Sequence, residues 1–271
     1  MEETLMRKLA VLMGLLLVLA VGVMPAAAIT WGQRDEGRHP NVGAIVVDHP
    51  RYGPYQICTG TLIHPRVFLT AGHCTSAINA RGYTTVWVNF DEYALNRPTL
   101  LKVAEVITHP DYNWGPSSNP HDVGVLILEE PVTGIVPANL PSVGFLDQLW
   151  NEGKLRQGKN EADFDLVGYG GTLAWPPPKI TYEDYRQYAE SEFQALLKAW
   201  LRMSQTYATG DGGTCYGDSG GPAFWTQPDG SEVLVGITSW GDAQCVSASF
   251  NYRTDIPDTL DFIADVIAKL D

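Results

Sequence analysis

Gly217-Asp218-Ser219-Gly220-Gly221-Pro222 sets a serine in a glycine-rich turn, where small residues let a reacting carbonyl approach backbone N–H groups. A hydroxyl that attacks an amide also needs a base to take its proton. Two upstream stretches supply candidates. Thr70-Ala71-Gly72-His73-Cys74 presents a histidine beside a cysteine, and His121-Asp122-Val123-Gly124-Val125-Leu126 presents an aspartate at the start of an apolar run. The order His, Asp, Ser decides among folds. Gly217-x-Ser219-x-Gly221 matches the nucleophile elbow of α/β-hydrolases, but that fold needs its histidine after the serine. No histidine follows His121. Choosing Asp35 or Asp48 would give the order Asp, His, Ser, yet neither leads into the strand, helix and loop pattern of a subtilisin-like fold.

Working outward from these motifs, short β-rich runs recur with turn residues between them, which points to an all-β barrel or sandwich. Six strands are expected near residues 43–47, 56–63, 66–71, 84–90, 101–108 and 123–128. Six more are expected near 163–169, 190–196, 200–204, 222–225, 233–239 and 249–253. Strand count alone leaves a sandwich open. Leu260, Ile263, Val266, Ile267 and Leu270 follow the spacing of one buried helical face, so a helix is expected over 257–270, with Asp255 and Asp258 as caps and Pro257 in its first turn. Phe145 to Leu155 reads as a second short helix. Gly170 to Tyr188 contains Trp175-Pro176-Pro177-Pro178 and reads as a long surface loop near the cleft.

Arg7 and Lys8 precede an apolar stretch from Leu9 to Val23 and then Met24-Pro25-Ala26-Ala27-Ala28. This is the pattern of a secretory signal peptide over residues 1–28, cut after Ala28. The chain after it, 29–271, is long enough for one large β unit or two small barrels. A formal net charge of −13 repels phosphate backbones and anionic lipid, which argues against nucleic acid and, once the signal is removed, against a membrane. Four cysteines in an exported chain suggest two disulfides with three possible connectivities. No Cys-x-x-Cys or close Cys/His set is present, so no metal site is expected.

Together the three motifs resemble those of the trypsin/chymotrypsin-like serine proteases, from about Ile29 to the terminal helix. The resemblance implies two six-stranded antiparallel β-barrels, over about 40–135 and 140–255, closed by the C-terminal helix, and disulfides Cys58–Cys74 and Cys215–Cys245. It also implies a secreted endopeptidase without a cofactor, acting as a monomer on protein or peptide substrates and open to proteinaceous inhibitors. In that scheme Ser219 is the nucleophile, His73 the base and Asp122 its orienter, while the N–H groups of Gly217 and Ser219 form the oxyanion hole. Ser239-Trp240-Gly241 resembles the segment that pairs with substrate backbone.

Relatives that cut after Arg or Lys carry an aspartate six residues before the serine. Gly213 stands there, followed by Thr214, which with an open entrance at Gly241 and a far wall near Phe250 implies uncharged side chains before the scissile bond. In the family, a freed N-terminal Ile pairs with the aspartate before the serine. Here these would be Ile29 and Asp218, although Ile29-Thr30-Trp31-Gly32 departs from the usual Ile-Val-Gly-Gly. Two other function classes use the same residues: a silent homologue that binds a partner through the cleft, and an esterase. His39, His49, His64, His109 and His121 read as loop residues.

Overall fold

The computed structural model describes residues 29–115, 117–158, 163–174 and 179–270; the expected signal segment and the Trp175–Pro178 run lie outside them. A two-residue strand, β1 (Gln33–Arg34), precedes a closed barrel of β2 (Val42–His49), β3 (Gly53–His64), β4 (Val67–Thr70), β5 (Val86–Asn89), β6 (Leu101–Thr108) and β7 (Gly124–Leu128). Its strands run in the spatial order β2-β3-β4-β7-β6-β5, and β2 pairs with β5 to close the ring. Helix α1 (Gly72–Arg81) follows β4, and α2 (Phe145–Asn151) lies in the inter-barrel connection.

The second barrel contains β8 (Asp163–Gly168), β11 (Gln187–Leu196), β12 (Trp200–Ser204), β13 (Pro222–Thr226), β14 (Glu232–Gly241) and β15 (Ala248–Arg253), with a hairpin of β9 (Gly171–Ala174) and β10 (Lys179–Tyr182) between β8 and β11. The ring β8-β11-β12-β15-β14-β13 closes because β8 pairs with both β11 and β13, and β1 adds to the outer edge of β11. Helix α3 (Pro257–Ile267) ends the fold. The architecture is thus two six-stranded antiparallel barrels with a C-terminal helix, and closure leaves no long open edge.

Alternation in β2 explains how the barrels hold together. Ile45 and Val47 join the first barrel's core, whereas Ala44 and Val46 pack with Tyr169 from the second. All six residues from Val42 to Val47 are buried because both faces of the strand are covered. Across this seam the Tyr169 hydroxyl donates to Asp91 O at 2.6 Å, and Arg186 Nη1 donates to Val42 O and Phe90 O, each at 3.0 Å.

Three expectations need adjustment. Residues 170–188 are not one loop: Thr172, Leu173, Ile180 and Thr181 pair across a hairpin, as their β-branched and aliphatic side chains favour. The decad after Ala71, given no element above, is helical. Finally, Asp255 and Asp258 do not cap α3, whose N-cap is Ile256 with Pro257 in the first turn. Asp255 pairs with Arg253 and accepts the Leu146 N–H at 2.8 Å; Asp258 accepts from His121 Nδ1 at 2.7 Å. The helix buries Phe262, Ile263 and Val266 and stops at Ile267, three residues early.

Candidate active site

His73 sits in the first turn of α1. The N-cap residue, Ala71, offers no side-chain cap, and the early N–H groups of a helix need acceptors. Asp122, entering β7 from the loop, supplies one: its Oδ1 accepts the His73 backbone N–H at 2.8 Å, and its Oδ2 lies 3.0 Å from His73 Nδ1. The same carboxylate therefore fixes both the backbone and the ring of His73. The Ser239 hydroxyl donates to Asp122 Oδ2 from β14. Burial alone would raise the pKa of the fully enclosed Asp122, but the His73 charge and the bonds from His73 and Ser239 outweigh it and hold the carboxyl below its ordinary range.

Two disulfides brace these turns. Cys58–Cys74 ties β3 to α1 one residue after His73, and Cys215–Cys245 ties the segment before Ser219 to the one after β14. In the chain-entropy account, closing a loop as short as the first stabilises by about 3 kcal/mol.

The serine turn is oriented through its carbonyls. Gly217 has φ 101°, a left-handed conformation that favours glycine. Tyr216 O accepts from Gly171 N–H at 2.8 Å, and in a trans peptide the next N–H points the opposite way. Gly217 O is held by Gln56 Nε2 at 2.9 Å and Thr59 Oγ1 at 3.0 Å, and Asp218 O by Gly221 N–H at 2.8 Å. Among the described residues, no hydrogen bond uses the N–H of Gly217 or Ser219. Two donors are thus left free beside the serine, the arrangement an oxyanion requires.

Two basins meet at His73, Tyr216 and Ser219. One, of about 260 Å³, is walled by Trp114, Thr214, Ser239, Trp240, Gly241 and Asp242; the other, of about 310 Å³, is bordered by Gln56, Cys58, Tyr182 and Gly217. Trp114, not singled out above, brings its ring to 5.5 Å from that of His73. Phe250 does not form the far wall. A β-bulge between Thr238 and Trp240 shifts the register so that Phe250 lies opposite Trp240 and stacks on it at 3.7 Å. Its fully buried neighbours Ser249 and Asn251 take the other face, where Asn251 Oδ1 accepts from Thr238 Oγ1 at 3.2 Å. The bulge also accommodates Ser239 as the extra residue. Under Gly213 lies the buried side chain of Gln205, which donates to Thr214 O at 2.9 Å. The Asp242 carboxylate takes N–H groups of Gln244, Val246, Ser247 and Ala248; burial opposes its ionisation, but these bonds hold it below the ordinary range.

Ile29 is fully buried, and its nitrogen, a peptide N–H in this chain, donates to Gln187 Oε1 at 3.1 Å. Thr30 bridges to Gly213 through two backbone bonds of 2.9 Å. Asp218 is enclosed as well: its carboxylate accepts from Gly170 N and Cys215 N at 2.7 and 2.8 Å, and a side chain at Gly168 or Gly170 would collide with it. Among the described residues it has no ion-pair partner, and burial pushes its pKa up to about 7 against those two bonds.

The trypsin family model matches residues 29–263. The chain is 27% identical over 237 residues to vitamin K-dependent protein C of Mus musculus, covering 78% of this chain and 46% of that protein. It is 28% identical over 208 residues to serine protease 28 of Mus musculus (68% and 69% covered) and 27% identical over 245 residues to lectizyme of Glossina austeni (83% and 81%). The chain thus spans about half the length of vitamin K-dependent protein C.

Proposed function

Because the chain belongs to the trypsin family, we propose that it is a secreted serine endopeptidase whose nucleophile is Ser219, with His73 as base and then acid and Asp122 holding the imidazole tautomer. His73 takes the Ser219 proton as the hydroxyl attacks the scissile carbonyl, the N–H groups of Gly217 and Ser219 receive the oxyanion, and His73 returns the proton to the departing amine. The observation that carries this reading is the double grip of Asp122 on His73, which lines both basins with Ser219, where the N–H groups of Gly217 and Ser219 have no partner among the described residues. A silent homologue has no need of those donors, and the same machinery cleaves esters. Labelling Ser219 with a phosphonylating reagent, then comparing peptide and ester turnover, separates the three. Labelling with loss of peptide cleavage is expected; absence of labelling sinks the mechanism.

For the residue before the scissile bond we favour an uncharged side chain. Gly213 offers no carboxylate, and Asp242 already spends its oxygens on four backbone N–H groups. A buried Arg or Lys would then lack a counter-charge. The reading fails if a peptide library is cut mainly after Arg or Lys.

The Ile29 region fits a chain awaiting a cut. Cleavage after Ala28 would turn the Ile29 peptide N–H, now donated to Gln187, into an ammonium, and we propose that it then pairs with Asp218, which is enclosed and has no ion-pair partner among the described residues.

A further inference from the structure

The basin bordered by Gln56, Cys58 and Gly217 does not end there. Tyr55, Ile57 and Arg81 also line it, and the same three residues line a larger groove of about 660 Å³ with His49, Tyr52 and Tyr83. The two spaces therefore adjoin across these three side chains, with the larger one lying on the side away from Ser219. Its walls are aromatic: His49 stacks on Tyr52 at 4.6 Å, and Tyr55 and Tyr83 stand 6.4 Å from His49. Tyr52 is 64% and Tyr55 48% exposed, so these rings present open faces.

The groove also carries a free cation. Arg81, at the C-terminal end of α1, is exposed, and its side chain makes no ion pair or hydrogen bond among the described residues. In a chain of net charge −13, an unpaired guanidinium at a groove wall attracts a carboxylate. Asp48 lines the groove as well, which disfavours a run of acids.

Which part of a substrate would lie here follows from the two basins. In the endopeptidase reading the Thr214 and Ser239–Gly241 side receives the acyl half, which leaves the Gln56 and Gly217 side for the departing half. We propose that the His49, Tyr52, Tyr55 and Tyr83 groove, with Arg81, binds the substrate segment that follows the scissile bond and selects an acidic residue followed by an aromatic one. Arg81 borders both spaces and meets the acid first; the tyrosines beyond it take the ring by stacking. This rests on the endopeptidase reading above.

Three substrates with one acyl half test it: a short anilide with no residues beyond the scissile bond, a peptide continuing Ala-Glu-Ala-Phe-amide, and one continuing Ala-Lys-Ala-Ala-amide. The Glu/Phe extension should raise kcat/KM about tenfold over the Lys/Ala one. The double variant Tyr52→Ala/Arg81→Glu should erase that preference and cleave the anilide as before, whereas Tyr52→Phe should keep it. Anilide turnover with equal rates on both extensions overturns the groove and leaves the endopeptidase standing. Calorimetric titration of Ser219→Ala with Ala-Glu-Ala-Phe-amide reads the groove without turnover. If wild type cleaves none of the three substrates while Arg81-dependent binding persists, the groove stands and the endopeptidase is overturned; no binding and no preference overturns the groove. Should the double variant misfold, the wild-type preference decides.

Discussion

Asp122 and Asp218 are both fully buried acids at one cleft, yet the first is held below its ordinary pKa and the second is pushed up to about 7. Desolvation acts on both; the partners differ. Asp122 faces His73, which can carry a compensating charge, and takes a hydroxyl and a backbone N–H as well. Among the described residues, Asp218 takes two backbone N–H groups and no cation. Hydrogen bonds from neutral donors do not offset full burial of a carboxylate here, whereas a chargeable ring does. The Asp122 region is assembled, whereas Asp218 has no cation among the described residues; in the reading proposed above, a cut after Ala28 would supply one.

The harshest way to break the Asp122 side is through its chemistry. Ser219→Ala or His73→Ala should each lower kcat by about 10⁶, and the double variant should cost little more, since the two act as a unit. Asp122→Asn should lower turnover by about 10⁴ through the wrong tautomer. It should keep the fold, because the amide oxygen can still accept the His73 N–H. Steady-state kinetics beside a thermal melt checks both; near-normal turnover of Ser219→Ala would end the triad assignment.

The Asp218 side is sharpened by pH. In the uncut chain the unfolded carboxyl ionises near 3.8 and the folded one near 7. Between these values the folded state holds a proton that the unfolded state has released. Stability therefore falls as pH rises through that window and levels above it, by on the order of 4 kcal/mol. Urea midpoints from pH 4 to 6.5 should show the slope, and Asp218→Asn should remove it in that range. If the slope survives in Asp218→Asn, the contrast between the two acids is wrong.

Cutting should then make the two regions alike. Mature protein beginning at Ile29 should outpace the same protein with one extra Met by about 10²-fold, the size of one oxyanion donor. Full activity in a preparation whose extra Met is confirmed by mass spectrometry excludes the pairing.

What the sequence reveals of these regions depends on how local the determinants are. The turns around His73, Asp122 and Ser219 are short motifs, and most strands follow from β-rich runs bounded by turn residues, so both are legible; that the strands close into two rings is implied by the family resemblance, since the runs alone leave a sandwich open. Helix α1 is not, because its N-terminal acceptor is Asp122, 49 residues away. Nor is Gln187 as the acceptor for Ile29, 158 residues away. Phe250 goes to the Trp240 face because of a bulge that shifts pairing by one residue, which no alternation in β15 itself discloses. His39 reads as a loop residue in its Pro-containing context but is buried, with its ring against Phe224 at 5.6 Å.

His39 offers the finest test, because it is a buried histidine whose carboxylate partners are already in place. Burial would lower its pKa, but bonds to Asp35 and to Glu232, the latter at 3.1 Å, outweigh that and raise it to about 9. Asp35, also bonded by Arg186 Nε at 2.8 Å, is held at about 2 despite its burial. The folded state thus keeps a proton on His39 that the unfolded state loses above 6.5. This contribution is full below 6.5 and fades as pH rises through 9, by about 2 kcal/mol between pH 6.5 and 8. Most of the Asp218 slope lies at lower pH, so the two are separable in one series. His39→Gln should be less stable than wild type at pH 6 and should flatten the decline above 6.5, while Asp218→Asn should leave that decline untouched. An unchanged decline in His39→Gln would show that the buried pair with Asp35 is neutral at pH 7, and that a nearby carboxylate is not enough to keep a buried histidine charged.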